Sequence, residues 1–265
     1  MKKLQFSTGK ILSKKEPEKG LLLSFKDMAG RNNSGRITVR HQGSGVKKLY
    51  RIIDFGQEKI NIAAKVSALE YDPYRTAFIM LLEYANGQKR YQIAPALIKV
   101  GDEIICQEQS DIKLGNRMKI KNIPVGTIIY NLELEPGRGG KIVRSAGSSA
   151  KVLAHEGKYS NIEMPSSEIR KVLQECYASI GSVSFPEWKY INIGKAGTNR
   201  RRGIRPGVRG SAMNPCDHPH GGGEGRTSIG LKYPKTPWGK HALGVKTRNN
   251  KRTERYIIKR RQKKV

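Results

Sequence analysis

Residues 76–95 decide the fold of this chain and read TAFIMLLEYANGQKRYQIAP. Two runs of β-prone residues, 76–84 and 89–94, flank the segment Ala85-Asn86-Gly87-Gln88. An Asn-Gly pair between such runs is a strong hairpin signal, because a type I′ turn needs positive φ at both central residues. Pro95 lacks a backbone N–H and should end the second strand. The stretch therefore predicts a β-hairpin with a type I′ turn.

Short β-prone runs surround this hairpin. Approximate strand alternation is present at 37–40, 50–55 and 64–71, and the run 103–106 follows the hairpin. About five short strands with Gly and Pro between them are typical of an OB-like or similar small barrel. We assign this barrel to residues 36–112.

A second set of short runs follows Pro124. These runs are 127–134, 151–155, 159–164, 168–172 and 178–183, and few runs reach helical length with a period near 3.6. The pattern predicts a second small all-β barrel at residues 113–190, with 112–124 as the joint between the two. The predicted fold class is all-β.

Charge is distributed unevenly along the 265 residues. Lys and Arg number 51 against 22 Asp and Glu, a formal net charge of +29. Residues 61–190 are nearly balanced, with 17 basic and 14 acidic side chains, whereas 191–265 hold 20 and 3. The last segment also contains 12 glycines and only scattered large apolar residues, so it cannot bury enough apolar surface to offset its ordering entropy. We therefore expect two basic irregular extensions, 1–35 and 191–265, of which the second needs a partner to order it.

The composition excludes several classes of function. A charge of +29 predicts a polyanionic partner, either nucleic acid or an acidic membrane surface. No run approaches the ~18 apolar residues of a membrane span, and no amphipathic helix with an aromatic face is evident, so we expect no membrane partner. The first residues show no apolar signal core and only a weak likeness to an import sequence. Nucleotide-binding glycine motifs are absent, and we expect no cofactor.

Cysteine usage fits a reducing compartment. The three cysteines, Cys106, Cys176 and Cys216, are widely separated and form neither a disulfide framework nor a Cys-x-x-Cys pair.

The cationic side chains cluster beside Gly and Asn rather than beside compensating acids. Guanidinium groups form paired hydrogen bonds with phosphate oxygens, and neutralised phosphates release counterions, so these clusters predict affinity for nucleic acid with little sequence readout. The clustered candidates are Arg31, Arg36, Arg40, Lys47, Lys48, Arg51, Arg200, Arg201, Arg202, Arg205, Arg209, Lys246, Arg248, Lys251, Arg252 and Arg260.

The loop at 213–226, MNPCDHPHGGGEGR, admits three interpretations. Cys216, His218, His220 and His241 are plausible metal donors, although their spacing matches no familiar finger. His218 and Asp217 could act as an acid–base pair of an RNA-acting enzyme, although no nucleophile motif is visible. In the third interpretation, a loop stiffened by Pro and loosened by Gly inserts into folded RNA, where His and Asn contact bases and 2′-hydroxyls.

This loop resembles the signature of the universal large-subunit ribosomal protein two family, in its bacterial and organellar form. Further segments resemble that family in the same order along the chain: 30–38, 50–55, 69–73, 122–126, 137–140, 144–147, 194–197, 205–210 and 236–239. Segment 42–46, Gln-Gly-Ser-Gly-Val, departs from the family's glycine run followed by His, which removes any His-mediated contact there. The residues before Met28 match poorly.

The resemblance implies an OB-type barrel, an SH3-like barrel and a basic C-terminal extension buried in large-subunit rRNA. It also implies neighbouring ribosomal proteins as partners, a contact with the small subunit, and support for the peptidyl-transferase region. In that support the loop residues Asn214, Asp217, His218 and His220 would position RNA while the RNA does the chemistry, so the protein itself is expected not to be an enzyme and to hold no metal. The resemblance adds Asn32, Asn33, Lys195, Gly221, Gly222, Gly223, Arg226 and Trp238 to the predicted RNA-binding set.

The compartment is predicted from weaker features. Segments 224–228 and 236–240 resemble alphaproteobacterial and mitochondrial members most, and abundant Lys, Asn and Ile point to AT-rich coding DNA. We expect a ribosomal location, with a mitochondrial, organelle-encoded protein first and bacterial cytoplasm or plastid as alternatives.

Overall fold

The structure is a computed structural model that describes residues 11–56 and 58–261. Strands dominate these two stretches, which confirms the all-β prediction. The strands are β1 (Leu22–Ser24), β2 (Leu49–Arg51), β3 (Ala63–Tyr71), β4 (Phe78–Tyr84), β5 (Lys89–Ile93), β6 (Glu103–Ile105), β7 (Arg117–Lys119), β8 (Ile128–Tyr130), β9 (Ala150–Glu156), β10 (Tyr159–Glu163), β11 (Ile169–Leu173), β12 (Tyr177–Ile180) and β13 (Ile257–Lys259). The helices are α1 (Ala196–Arg201), α2 (Lys251–Glu254) and 3-10 turns at Lys19–Leu21, Ile120–Asn122, Pro186–Tyr190 and Gly210–Ala212.

The strands form three sheets. Their orders are β1-β2, β5-β4-β3-β6 and β13-β11-β10-β9-β8-β12-β7, and every pairing between named strands is antiparallel. Two mainly antiparallel sheets of short strands are consistent with an OB-like barrel followed by an SH3-like barrel.

The chain divides into two compact units. The first, which we call the sheet unit, contains the described residues of 11–25, 48–192 and 252–261. The second, which we call the basic unit, contains Lys26–Lys47 and Ile193–Lys251.

The predicted hairpin is confirmed as β4-β5, with Ile79 opposite Ile93 and Glu83 opposite Lys89. Its turn differs from the predicted type I′ geometry. The Gly87 N–H donates to the Tyr84 carbonyl at 2.9 Å, and Gly87 has a φ of +74° while Asn86 is not among the residues with positive φ. A turn over Ala85 and Asn86 followed by a left-handed Gly is the three-residue hairpin arrangement, in which only the glycine needs positive φ.

Strand β4 is buried on both faces, which explains its unbroken apolar run. Ile79 and Leu81 lie in one core with residues of the seven-stranded sheet, such as Ile129 and Val152, whereas Met80 and Leu82 lie in a second core. A strand covered on both faces is selected for apolar side chains at every position rather than at alternate ones.

A register shift in β3 connects the same two cores. Val66 lies in the second core, and without a bulge Ala68 would face the same way. The pairing with β4 shifts between Val66 and Ala68, and Ala68 lies in the first core instead. The extra residue, Ser67, reverses the alternation, as a β-bulge does.

Three sequence predictions need correction. Residues 37–40 do not form a strand; only Ile37 makes an isolated bridge, with Arg31. Residues 112–124 are not a simple joint, because they include β7 and the buried side chains of Met118 and Ile120. The segment after residue 191 is not irregular throughout, since β13 pairs with β11 at the edge of the large sheet.

A buried ion pair fixes the loop before β3 against the large sheet. Arg117 and Glu133 lie 3.4 Å apart with side chains 2% and 1% exposed. Arg117 Nε also donates to the Gly56 carbonyl at 3.2 Å, and Glu133 accepts the N–H groups of Gly139 and Tyr177 at 2.8 Å. A Cβ at Gly56 would lie 2.2 Å from the Arg117 side chain, so only glycine fits there.

Candidate nucleic-acid interface

The basic unit is the most highly charged part of the molecule. Its segments, 26–47 and 193–251, contain 18 Lys and Arg against 3 Asp and Glu. Its buried residues are a glycine, Gly203, and His218, and no large apolar side chain of these segments is buried. The unit is therefore organised by hydrogen bonds and glycine turns, as its sequence predicts, and three carboxylates cannot neutralise its cations.

Most of the predicted RNA-binding residues lie in this basic unit. The exceptions are Lys48, Arg51, Arg252 and Arg260, which belong to the sheet unit. Arg51 donates to the Leu49 carbonyl at 2.8 Å, and Arg260 pairs with Glu254, so these two guanidinium groups have protein partners.

A tight loop presents the first arginine cluster. The Asn32 N–H donates to the Arg36 carbonyl at 2.9 Å, and Asn32 Oδ1 accepts the N–H groups of Ser34 and Arg36 at 3.0 and 2.9 Å. Asn32 Oδ1 is thus engaged inside the loop, while the side chains of Arg31 and Arg36 are exposed.

Hydrogen bonds within the loop at 213–222, and one from Lys235, hold the histidines of this loop in place. The Asn214 carbonyl accepts the N–H groups of Asp217 and His218 at 3.0 and 3.2 Å. The His220 N–H donates to His218 Nδ1 at 3.0 Å, and the two rings lie 4.7 Å apart. His220 Nε2 in turn accepts the Lys235 N–H at 2.8 Å. These bonds place the proton of neutral His218 on Nε2 and that of neutral His220 on Nδ1.

His218 is buried against glycine rather than facing a cavity. A Cβ at Gly210 would lie 2.5 Å from the His218 ring, so the ring occupies the space that a side chain would fill. Burial lowers the pKa of His218 below its usual value. Repulsion from His220, when that ring is protonated, and from Arg40 lowers it further. A neutral, packed imidazole is suited to holding a loop in shape.

The two alternative interpretations of this loop gain no geometric support. Asp217 is exposed, and among the described residues it makes no hydrogen bond or ion pair with His218, so the acid–base pair is not assembled. Within 11–56 and 58–261, no three His, Cys, Asp or Glu side chains are grouped as a metal site would require. Cys106 and Cys176 are buried free thiols and Cys216 is an exposed one.

A second cationic surface, which the sequence did not predict, lies in the sheet unit. Arg144 Cζ lies 4.4 Å from the centre of the Phe55 ring, and Arg75 Cζ lies 5.3 Å from the same centre. Arg75 is held by Asp72 at 3.2 Å and donates to the Tyr50 hydroxyl at 3.2 Å. The two guanidinium groups repel each other, and burial followed by this repulsion lowers the pKa of Arg144.

Exposed aromatic rings continue this surface. Tyr74, 45% exposed, lies 5.5 Å from Tyr50 between ring centres, and the Lys48 ammonium lies 5.7 Å from the Tyr74 ring. Phe25 is 55% exposed, and its ring centre lies 5.2 Å from that of Tyr50. Cations interleaved with exposed rings are the arrangement that binds unpaired nucleotides. Arg75 and Arg144 escaped prediction because each stands alone in a nearly neutral stretch.

No helix in the described part of the chain combines the length and apolar character that crossing a bilayer requires.

Two models of known protein families match the chain. Residues 18–106 match the model described as Ribosomal Proteins L2, RNA binding N-terminal domain. Residues 113–239 match the model described as Ribosomal Proteins L2, C-terminal domain. Together the two matches span most of the chain, and they include the basic unit up to residue 239 and the cationic surface of the sheet unit. The chain therefore belongs to the universal ribosomal protein L2 family and is an RNA-binding protein of the large ribosomal subunit.

Proposed function

We propose that this protein is a structural, non-enzymatic component that stabilises folded large-subunit rRNA. The observation that carries this proposal is the basic unit, which has 18 cations, 3 carboxylates and no buried large apolar side chain. Such a unit gains stability when phosphates neutralise it. The RNA-binding residues proposed are those named from the sequence, with Arg75 and Arg144 added.

Different segments of the chain have different proposed roles. Residues 36–112 and 113–190 serve as two protein platforms, and the extensions 1–35 and 191–265 contact RNA. We assign residues 252–261 to the second platform as well, because β13 pairs with β11 and the Tyr159 and Tyr256 rings lie 6.3 Å apart.

Binding of the full chain to large-subunit RNA should depend steeply on salt. If 6–10 phosphates are neutralised, affinity falls by roughly 10³–10⁵ between 50 and 200 mM salt. A filter-binding titration across this range measures the slope. A flat profile would contradict phosphate-led binding and with it the proposed function.

We further propose that the loop at 213–222 supports the peptidyl-transferase region by positioning RNA, and that the protein contributes to subunit association. The support for this role is the family resemblance together with the neutral, packed state of His218. Replacing His218 with Ala should leave assembly into particles intact and slow peptide-bond formation by the assembled subunits. Unchanged peptide-bond formation would make His218 a packing residue only.

The proposed compartment is the mitochondrion, with the bacterial cytoplasm and the plastid as alternatives. Its support is the composition and the resemblance of 224–228 and 236–240. Sedimentation of the protein from fractionated organelles tests this directly: co-migration with mitochondrial large subunits is expected, and recovery only with another ribosome would overturn it.

A further inference from the structure

A cavity of about 250 Å³ opens in the basic unit where the loop 43–46 meets the end of α1. Its volume corresponds to roughly eight water molecules, which is enough for a phosphate group with adjoining sugar atoms. The residues that line it are Gly43, Ser44, Gly45, Val46, Arg200 and Arg201.

Two hydrogen bonds attach the loop 43–46 to the end of α1, one at each end of the loop. The Gly43 N–H donates to the Gly203 carbonyl at 2.6 Å, and the Val46 N–H donates to the Arg201 carbonyl at 2.9 Å. These two bonds satisfy carbonyl groups that would otherwise repel an anion. The two intervening residues, Ser44 and Gly45, line the cavity.

Close approach of the two segments depends on glycine. Gly45 has a φ of +63°, and a Cβ there would lie 2.6 Å from the Arg201 carbonyl oxygen. A side chain at position 45 would therefore push the loop away from the helix end and open the cavity.

The cavity is lined by donors without partners. In the described structure, the N–H groups of Ser44 and Gly45 and the guanidinium groups of Arg200 and Arg201 have no hydrogen bond or ion pair. No carboxylate lines the cavity. Neighbouring backbone N–H groups form anion-binding concavities, and guanidinium groups bind phosphate through paired hydrogen bonds.

We propose that this cavity is a phosphate-binding site that takes one backbone phosphodiester of large-subunit RNA. The proposal rests on the RNA-binding function proposed above and makes it specific. The rest of the basic unit neutralises phosphates diffusely, whereas this open cavity binds one of them at a fixed place in the RNA.

Ethylation interference on large-subunit RNA, with the full chain, tests this site. Ethylation of one or two discrete phosphates should block binding of the unaltered protein. The double variant Arg200→Gln, Arg201→Gln should bind more weakly and should no longer be sensitive to ethylation at those phosphates. Both arginines are exposed, so the substitutions should not disturb folding.

The matched control is Lys232→Gln, Lys240→Gln, which removes two exposed charges from the same unit outside the cavity. Both double variants should flatten the salt dependence similarly, since each removes two cations. The arginine variant should lose roughly 10- to 100-fold more affinity than the control, as expected when charge-assisted hydrogen bonds are lost.

A third variant, Gly45→Ala, retains both arginines and should lose sensitivity at the same phosphates. The site is contradicted if the arginine variant binds as well as the lysine control, or if its interference pattern is unchanged. Either result leaves RNA binding itself standing. By contrast, a salt-independent affinity of the unaltered protein would remove the proposed function as well.

Discussion

The sheet unit and the basic unit differ in whether their cationic side chains have carboxylate partners within the protein. In the sheet unit, Arg117 lies 3.4 Å from Glu133 with both side chains buried, and Lys119 contacts Glu108 and Glu175 at 2.6 and 2.9 Å. In the basic unit, Arg200 and Arg201 line an open cavity with no carboxylate beside them. A unit with an apolar core can hold its ion pairs internally, whereas a unit without one leaves its cations for a partner outside the protein.

The strongest expected effect concerns the buried ion pair of the sheet unit. Arg117→Ala should lower the free energy of unfolding by about 3–5 kcal/mol, because it leaves the carboxylate of Glu133 buried without its partner. Urea denaturation measures this change. The control is Lys113→Ala, which breaks an ion pair with Asp111 whose side chains are 72% and 78% exposed, and it should change stability by less than about 1 kcal/mol. Equal effects of the two substitutions would show that the sheet unit does not depend on its buried charges.

The next effect compares apolar side chains in the two units. Leu81→Ala removes a fully buried side chain of β4 and should cost about 2–5 kcal/mol of unfolding free energy. Leu243→Ala in the basic unit, where the leucine is 68% exposed, should change stability by less than about 0.5 kcal/mol. A comparable loss from Leu243→Ala, again by urea denaturation, would reveal an apolar core in the basic unit.

Acidification should weaken the loop that surrounds His218. Because the folded pKa is lowered from 6.5, the folded loop resists protonation and its stability falls as pH decreases below that value. Protonation also removes the acceptor that His218 Nδ1 offers to the His220 N–H. An NMR titration of the His218 ring should show a midpoint below 6.5, and a midpoint at or above 6.5 would contradict the packed, neutral ring.

The smallest expected effect is the contribution of Glu70, in the sheet unit, to the pH dependence of stability. Its sign is opposite to that of the His218 contribution. Burial raises the pKa of Glu70 above 4.5, although the hydrogen bond from the Tyr91 hydroxyl at 2.8 Å counteracts it. The folded state therefore binds this proton more readily, and Glu70 should contribute more favourably to stability as pH falls toward 4.5. Glu70→Gln should remove this contribution from the pH dependence of stability, measured by thermal unfolding between pH 4 and 7. An identical pH dependence in the variant would assign the change to other groups.

The parts of the fold that were predictable are those set by local chemistry. The run at 76–95 predicts β4 and β5 because Gly87 and Pro95 mark the turn and the strand end. The segment 37–40 has the same alternation but lies in the basic unit, and of its four residues only Ile37 makes a bridge. Alternation without a covering core therefore does not produce a strand. Strand β13 escaped prediction because its partner β11 lies far away in sequence.

The residues of the candidate site likewise divide into those that the local sequence predicts and those that depend on tertiary contacts. Clustered cations at 200–202 and beside Gly43 and Gly45 are visible in the sequence, since charge runs and glycines are local. The placement of Arg75 and Arg144 beside the Phe55 ring is not visible in the sequence, because it depends on tertiary contacts between isolated residues in a nearly neutral stretch.

Hydrogen exchange on the full-length protein, with and without large-subunit RNA, tests the central difference between the units most directly. Amides of β3, β4 and β5 should be protected in both conditions, because they lie in one sheet with an apolar core on each face. Amides of 193–251 should exchange much faster than these in the free protein, because no apolar core covers their hydrogen bonds, and should become strongly protected when RNA is added. Strong protection of 193–251 in dilute buffer without any nucleic acid would contradict the account.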